Sequence, residues 1–259
     1  MKLNVSIVQE GYDGDTCWTQ SRMGALGEAW VLTTQRLTLA GSDVYGLLHS
    51  RYSLDGGRRF SPLVPQAALE LPERTFVDCT PQYHAGSGHL LCFGQSMAYK
   101  GANPLHPEFD EVPRTYWTRY DADAHAWLPL NPLYDLEGKV VENTNAGCVQ
   151  RLDLPDGDIL LPLYRRHWGI ADRRVTYVQV LRLRYDGERM TCLEQGPEIH
   201  CDDEPRGLAE PSLTEYHGRY YLTLRSDTKG YVALSEDGLR YCQPKPWLWD
   251  SGQPLPNYN

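Results

Sequence analysis

The hydrophobic positions of this chain fall in short runs rich in aromatic and β-branched residues, each closed by Gly, Asp or Pro. Val44–Ser53, His89–Tyr99, Thr115–Tyr120, Ile159–Tyr164, Thr176–Tyr185, Arg219–Arg225 and Tyr231–Ser235 are such runs, and each has the length and make-up of a β-strand. No long stretch of helical period interrupts them. Several pair as hairpins: Val175–Tyr185 turns at Asp186-Gly187 into Arg189–Leu193, the turn chemistry of antiparallel meanders.

A phrase made of a strand end, an acidic turn and a further residue run recurs. It begins at Tyr52, Tyr120, Tyr185 and Ser235, so its separations are 68, 65 and 50. A recurring supersecondary unit of this size predicts an all-β propeller. At roughly 40 to 50 residues per blade, the chain has room for five complete blades or an incomplete six-bladed ring, as a single domain over residues 1–259. A plain β-sandwich whose hairpins share Asp-Gly turns is the alternative. Seventeen Tyr, seven Trp, twenty-three Gly and eighteen Pro agree with many short strands and tight turns.

The formal net charge of -9 argues against a nucleic-acid binder, which needs a basic surface to neutralise phosphates. Arg165, Arg166, Arg173 and Arg174 form a local basic island, read either as a solvated strand edge or as a place to meet an anion. The N-terminal residues lack the apolar core of a secretion signal and no run approaches a membrane span. The seven Cys are odd in number and lack paired C-x-x-C spacing, so neither a zinc site nor a full disulfide framework is expected. A cytoplasmic protein without metal or cofactor is the expectation.

Ser53-Leu54-Asp55-Gly56-Gly57-Arg58-Arg59-Phe60 resembles the Asp-box, S-x-D-x-G-x-x-W/F, of sialidases and related propellers. Ser235-Glu236-Asp237-Gly238-Leu239-Arg240-Tyr241 is a shorter, degenerate copy. The carboxylate can accept amides within the turn, and glycine permits positive φ. In that family such a turn is a folding element away from the catalytic face, so it supports the fold and says little about chemistry. Glu210-Pro211 through Arg225, with a Gly218 turn between, is similar to the sialidase segment in which a glutamate opens one strand and an arginine closes the next. Ser21-Arg22-Met23-Gly24-Ala25-Leu26 is similar to the motif that supplies the first arginine of that family's carboxylate-binding triad, without its proline. Asp43 sits about where the family places its acid/base aspartate.

The resemblance implies a glycoside hydrolase acting on an acidic or decorated terminal sugar, with Arg22 and Arg225 as rigid forks for a carboxylate. Glu210 would polarise the nucleophile and Asp43 would protonate the leaving oxygen. The plainer reading of Glu210 is a turn carboxylate paired with Arg206, and that of Asp43 a turn former. Asp78 and His84 make a second polar cluster ahead of a strand, placed either at a substrate site or in a turn. The family's third arginine and its tyrosine nucleophile lie well beyond the Glu–Arg segment, whereas only 34 residues follow Arg225 here, since 259 minus 225 is 34. The ring is then open, or completed by another chain in an oligomer, or belongs to a smaller propeller. Three alternatives stand beside the sialidase reading: a five-bladed furanosidase, a polysaccharide lyase using His84 or His167, and a glycan-binding propeller whose Trp168, Trp247 and Trp249 stack on sugars.

Overall fold

The run Ile159-Leu160-Leu161-Pro162-Leu163-Tyr164 is unbroken in its apolarity because both of its faces are covered. In the computed structural model, which describes residue 5 and residues 7–39, 44–98, 112–167 and 175–256, this run lies in a strand. Its Ile159, Leu161 and Leu163 cluster with Leu91, Phe93 and Trp117 on one side. Its Leu160 and Tyr164 cluster with Leu213, Leu222 and Tyr231 on the other.

Four antiparallel sheets follow one another along the chain and stack through such clusters. Blade 1 holds β1 (Thr16–Leu26), β2 (Ala29–Thr38), β3 (Val44–Ser53) and β4 (Val64–Pro65) in that order. Blade 2 holds β5 (Thr75–His84), β6 (His89–Met97), β7 (Thr115–Asp121) and β8 (Ala126–Trp127), with β9 (Asn131–Pro132) also paired to β7. Blade 3 runs from β10 (Thr144–Asn145), past β11 (Leu152–Asp153), to β12 (Asp158–His167), β13 (Val175–Tyr185) and β14 (Met190–Gln195); both β10 and β11 pair with β12. Blade 4 holds β15 (Ala209–Tyr216), β16 (Arg219–Arg225), β17 (Gly230–Ser235) and β18 (Lys245–Pro246). Cys79 and Cys92 join β5 to β6 as a disulfide, with Cα atoms 5.7 Å apart.

This is a four-bladed β-propeller arrangement among the described residues, and it corrects the expectation of five or six blades. The recurring phrase had the right count. Asp55, Asp186 and Asp237 lie in the connection after the third strand of a blade's meander and Asp121 closes that strand in blade 2, one per blade. Dividing the length by 40 to 50 residues failed because the long connections return to their own blade. After β8 the chain folds back on β7, with Leu133 N donating to Thr115 O at 3.0 Å and Thr115 N to Val141 O at 3.0 Å. After β14 it runs back along β13, where Ile199 N donates to Val178 O at 2.8 Å and Leu208 N to Thr176 O at 3.1 Å.

The two Ser-x-Asp turns fold alike. Ser53 Oγ donates to Asp55 Oδ1 at 2.9 Å, and that oxygen accepts the Arg58 and Arg59 amides at 3.1 and 2.9 Å. Ser235 Oγ donates to Asp237 Oδ1 at 2.9 Å, which accepts the Leu239 and Arg240 amides at 2.9 and 2.8 Å.

Candidate functional site

A β-bulge interrupts the pairing of the first strand of three blades. The register slips between Thr19 and Arg22 in β1, between Val77 and Thr80 in β5, and between Ala209 and Ser212 in β15. A bulge adds one residue to one strand and re-aims the side chains around it. Each of these contains a non-glycine residue in the left-handed region: Gln20 at φ 52°, Asp78 at φ 62° and Glu210 at φ 47°. Blade 3 has its counterpart in Asn143, at φ 56°, immediately before β10. Such conformations cost about 1 kcal/mol or more and cluster at functional sites.

Neighbouring blades hold the bulges in place. Gln35 of β2 accepts the Asp78 amide at 3.2 Å while its own amide donates to Phe76 O at 2.9 Å, and Thr33 Oγ1 donates to Cys79 O at 3.1 Å. Gly147 lies against the other side of Asp78, so close that a Cβ there would stand 2.2 Å from the Asp78 Cβ. The blade 4 bulge is pinned to blade 3 by Leu213 N donating to Gln150 O at 3.0 Å and by Gln150 N donating to Pro211 O at 3.3 Å.

The result is a convergence of charge. Asp78 is buried, 5% exposed, with the side-chain amides of Asn145 and Gln95 at 3.4 and 3.5 Å from its Oδ2. Asn145 Nδ2 also donates to Tyr164 Oη at 2.7 Å. Burial, then the negative charges of Asp78 and Glu210, push the Cys148 thiol far up, with Arg22 pulling the other way. Burial likewise pushes the Tyr164 phenol up, helped by Cys148, Asp78 and Glu210 and opposed by Arg166. The fields of residues from all four blades therefore overlap around Cys148 and Tyr164. Neither of those two is ionised near neutrality, so neither is a ready nucleophile.

Of the residues expected from the sequence, Asp78 and Glu210 stand on bulges that both pack against the Asn145–Gln150 stretch of blade 3, the charge of Arg22 is felt at Cys148 in that stretch, and Arg225 pairs with Glu210. Arg225 Nη1 donates to Glu210 Oε1 at 2.6 Å, with the side chains 31% and 34% exposed. The alternative partner of Glu210 is not used, since Arg206 pairs with Asp227 at 3.0 Å. Arg22 Nη2 donates to Gln20 Oε1 at 2.8 Å. His84 lies apart, at the far end of β5, fully buried, with Nδ1 2.8 Å from Ser87 Oγ and Nε2 2.9 Å from Gly157 O. Because the carbonyl can only accept, Nε2 is its donor, and the ring ties a blade 2 turn to one in blade 3. Asp43, His167's side chain and Trp168 lie outside the described residues. Trp247 lines an apolar groove with Tyr216, Tyr221 and Leu234 on the outer face of blade 4, away from the charged residues.

Sequence reasoning missed Asn145, Cys148 and Tyr164. Arg166 was noted only as part of a basic island. A cleft of about 280 Å³ between blades 3 and 4 is lined by Tyr164, Arg166, Thr176, Arg206, Glu210 and Arg225 among others. Polar residues dominate its wall.

The four stacked antiparallel sheets form a β-propeller, and its fold is sialidase-like by comparison with solved structures. Among solved structures, this chain is similar to a protein of unknown function from Dyadobacter fermentans, with a TM-score of 0.64 and 16% identity over 90% of this chain and 70% of that one. It is also similar to a Hadza microbial sialidase, with a TM-score of 0.60 and 13% identity over 87% of this chain, and to Trypanosoma rangeli sialidase in complex with the inhibitor DANA, with 0.61 and 14% over 88%. The chain spans 46% and 38% of the length of those two sialidases. At these identities the likeness is one of fold. No family model matches the chain, and no curated protein matches it in sequence.

Proposed function

We propose that this protein is a glycoside hydrolase acting on an acidic or decorated terminal sugar, with its reaction centre at Asp78 and Glu210. The observation that carries this reading is that the bulges bearing Asp78 and Glu210, from different blades, both pack against the Asn145–Gln150 stretch of blade 3, the first through Asn145 and Gly147 and the second through Gln150. Glycosidic hydrolysis breaks the bond between the anomeric carbon and the leaving oxygen and adds water across it. It needs one carboxyl to give a proton to the leaving oxygen and one carboxylate to stabilise or activate on the other side. Asp78, held by the side-chain amides of Asn145 and Gln95, is the carboxyl we assign to the leaving oxygen. Glu210, ion-paired with the Arg225 guanidinium at 2.6 Å, suits the second carboxylate. The sialidase neighbours, one of them solved with sialic acid, support a sugar ligand. The Asp-box reading of the two Ser-x-Asp turns belongs to the same proposal.

A panel of fluorogenic sialosides, uronides and arabinofuranosides tests it. Turnover of any one, lost in both Asp78→Asn and Glu210→Gln, supports the reading. A second reading, a propeller that binds glycans without turning them over, is favoured by the burial of Cys148 and Tyr164, which leaves neither as a ready nucleophile. Retained binding on a glycan array with every substrate intact would select that one.

A further inference from the structure

The cleft between blades 3 and 4 contains three guanidiniums, and two are already committed. Arg225 is ion-paired with Glu210 at 2.6 Å and Arg206 with Asp227 at 3.0 Å. Arg166 has no carboxylate partner among the described residues. The formal balance of these five side chains is three positive minus two negative, a net charge of +1, on a chain whose formal net charge is -9.

Arg166 is also well positioned to use that charge. It stands opposite Thr176 in the pairing of β12 with β13, and its backbone amide donates to Asn143 O at 2.9 Å. It is thereby tied to the left-handed residue that is blade 3's counterpart of Gln20, Asp78 and Glu210. Its charge is felt at Tyr164, where it opposes the upward shift. The floor beside it is set by Gly207, at φ 73°, where a Cβ would stand 1.9 Å from Thr176 O. The side chain itself is half-buried. A guanidinium so placed offers several donors in a fixed plane, and partial burial strengthens its pull on an anion.

We infer that Arg166, rather than Arg225, receives an oxyanion on the ligand: a carboxylate or sulfate group carried by the sugar. The sugar part of this inference rests on the function proposed above; the anion part does not. It moves the anion to the blade 3 side of the cleft and leaves Arg225 to hold Glu210.

Isothermal titration of the full chain with glucuronate, a sulfated hexose, unsubstituted glucose and inorganic sulfate tests it, using Arg166→Gln, Arg166→Lys and the rim control Arg59→Gln. The expected result is a loss of roughly tenfold or more for the anionic probes in Arg166→Gln, a smaller loss in Arg166→Lys, no change in Arg59→Gln and no change for glucose. The loss should shrink as salt is raised. A response confined to glucuronate or to the sulfated sugar supports the inference and identifies the oxyanion. Unchanged anion binding in Arg166→Gln overturns it, as does equal weakening of glucose and glucuronate, or failure of the unaltered chain to bind any anion. If inorganic sulfate binds through Arg166 while no sugar binds or reacts, the anion site stands and the glycan reading falls.

Discussion

The outer turns and the inner bulges of the blades face the same backbone problem and solve it differently. Both need residues in the left-handed region. At the rim the chain places glycine there: Gly56 and Gly57 in blade 1, Gly187 in blade 3 and Gly238 in blade 4, at φ 67°, 81°, 105° and 77°. Blade 2, whose turn has no glycine, uses His125 at φ 51°, whose ring stacks on Tyr52 at 4.0 Å. At the centre the same conformation is carried by Gln20, Asp78, Asn143 and Glu210. Glycine removes the strain but also removes the side chain. Where only the course of the chain matters, the sequence takes glycine. Where a carboxylate or amide must be presented, it keeps the side chain and bears the strain.

The sharpest way to break this comparison is to exchange the two solutions. Glu210→Gln keeps the shape and removes the charge; turnover of a responsive glycoside should fall by roughly 10²- to 10⁴-fold with little change in Tm. Glu210→Gly should lose activity at least as fully, yet be more stable than Glu210→Gln by up to about 1 kcal/mol, because φ 47° suits glycine. Denaturant melts of the two variants side by side decide this. If Glu210→Gly proves the less stable of the pair, the bulge is not strained and the comparison fails.

Gly147→Ala attacks the centre from behind. The new methyl would meet Asp78 at 2.2 Å from Cβ and 2.3 Å from the carbonyl oxygen, contacts that require backbone movement. A loss of about 1 to 3 kcal/mol accompanied by reduced turnover is expected. Wild-type turnover with lowered stability would show that Asp78 does not need its place. At the rim, Asp237→Ala removes a carboxylate that accepts two amides and the Arg240 guanidinium. By analogy with loss of a helix cap it should cost about 1 to 2 kcal/mol and leave kcat unchanged in the same assay.

How much of this was legible in the sequence follows the same division. Rim turns are local: Ser53, Asp55 and Gly57 bond within a few residues, so the repeated phrase exposed both the turns and, had it been counted by itself, the four blades. Strands buried on both faces, such as Ile159–Tyr164, announced themselves by unbroken apolarity. The centre is assembled from residues far apart in sequence, and only Arg22, Asp78, Glu210 and Arg225 carried a local signal. Asn145, Cys148 and Tyr164 carry none, because their roles come from the blade that packs against them. His84 looked like Asp78's companion because only six positions separate them, yet a strand of that length carries it to the other end of the blade.

The smallest expected effect separates rim from centre by pH. The Arg59 side chain, then the Arg59 amide, hold Asp55 well below the usual carboxylate range. The Ala124 amide lowers Asp121 and the Arg189 amide lowers Asp186. Burial pushes Asp237 up, but the Arg240 and Leu239 amides together with the Arg240 and Ser235 side chains outweigh it and hold the carboxyl down. Asp13, bonded to the Thr16 side chain, is lowered to about 2. A carboxyl whose folded pKa is depressed contributes stability that is fully present above its unfolded value, roughly 3.9, and is lost as pH falls through the folded value. The rim's contribution is thus constant from neutrality down to about pH 5 and drains away below about 4. Tm measured from pH 7 to pH 3 should be flat and then fall, and the fall should be shallower in an Asp55→Asn, Asp237→Asn double variant, which has fewer depressed carboxyls left to protonate. An acid limb of the same steepness in that variant would place the acid sensitivity elsewhere in the molecule and remove the rim's distinction as a set of ionised, amide-bound turns.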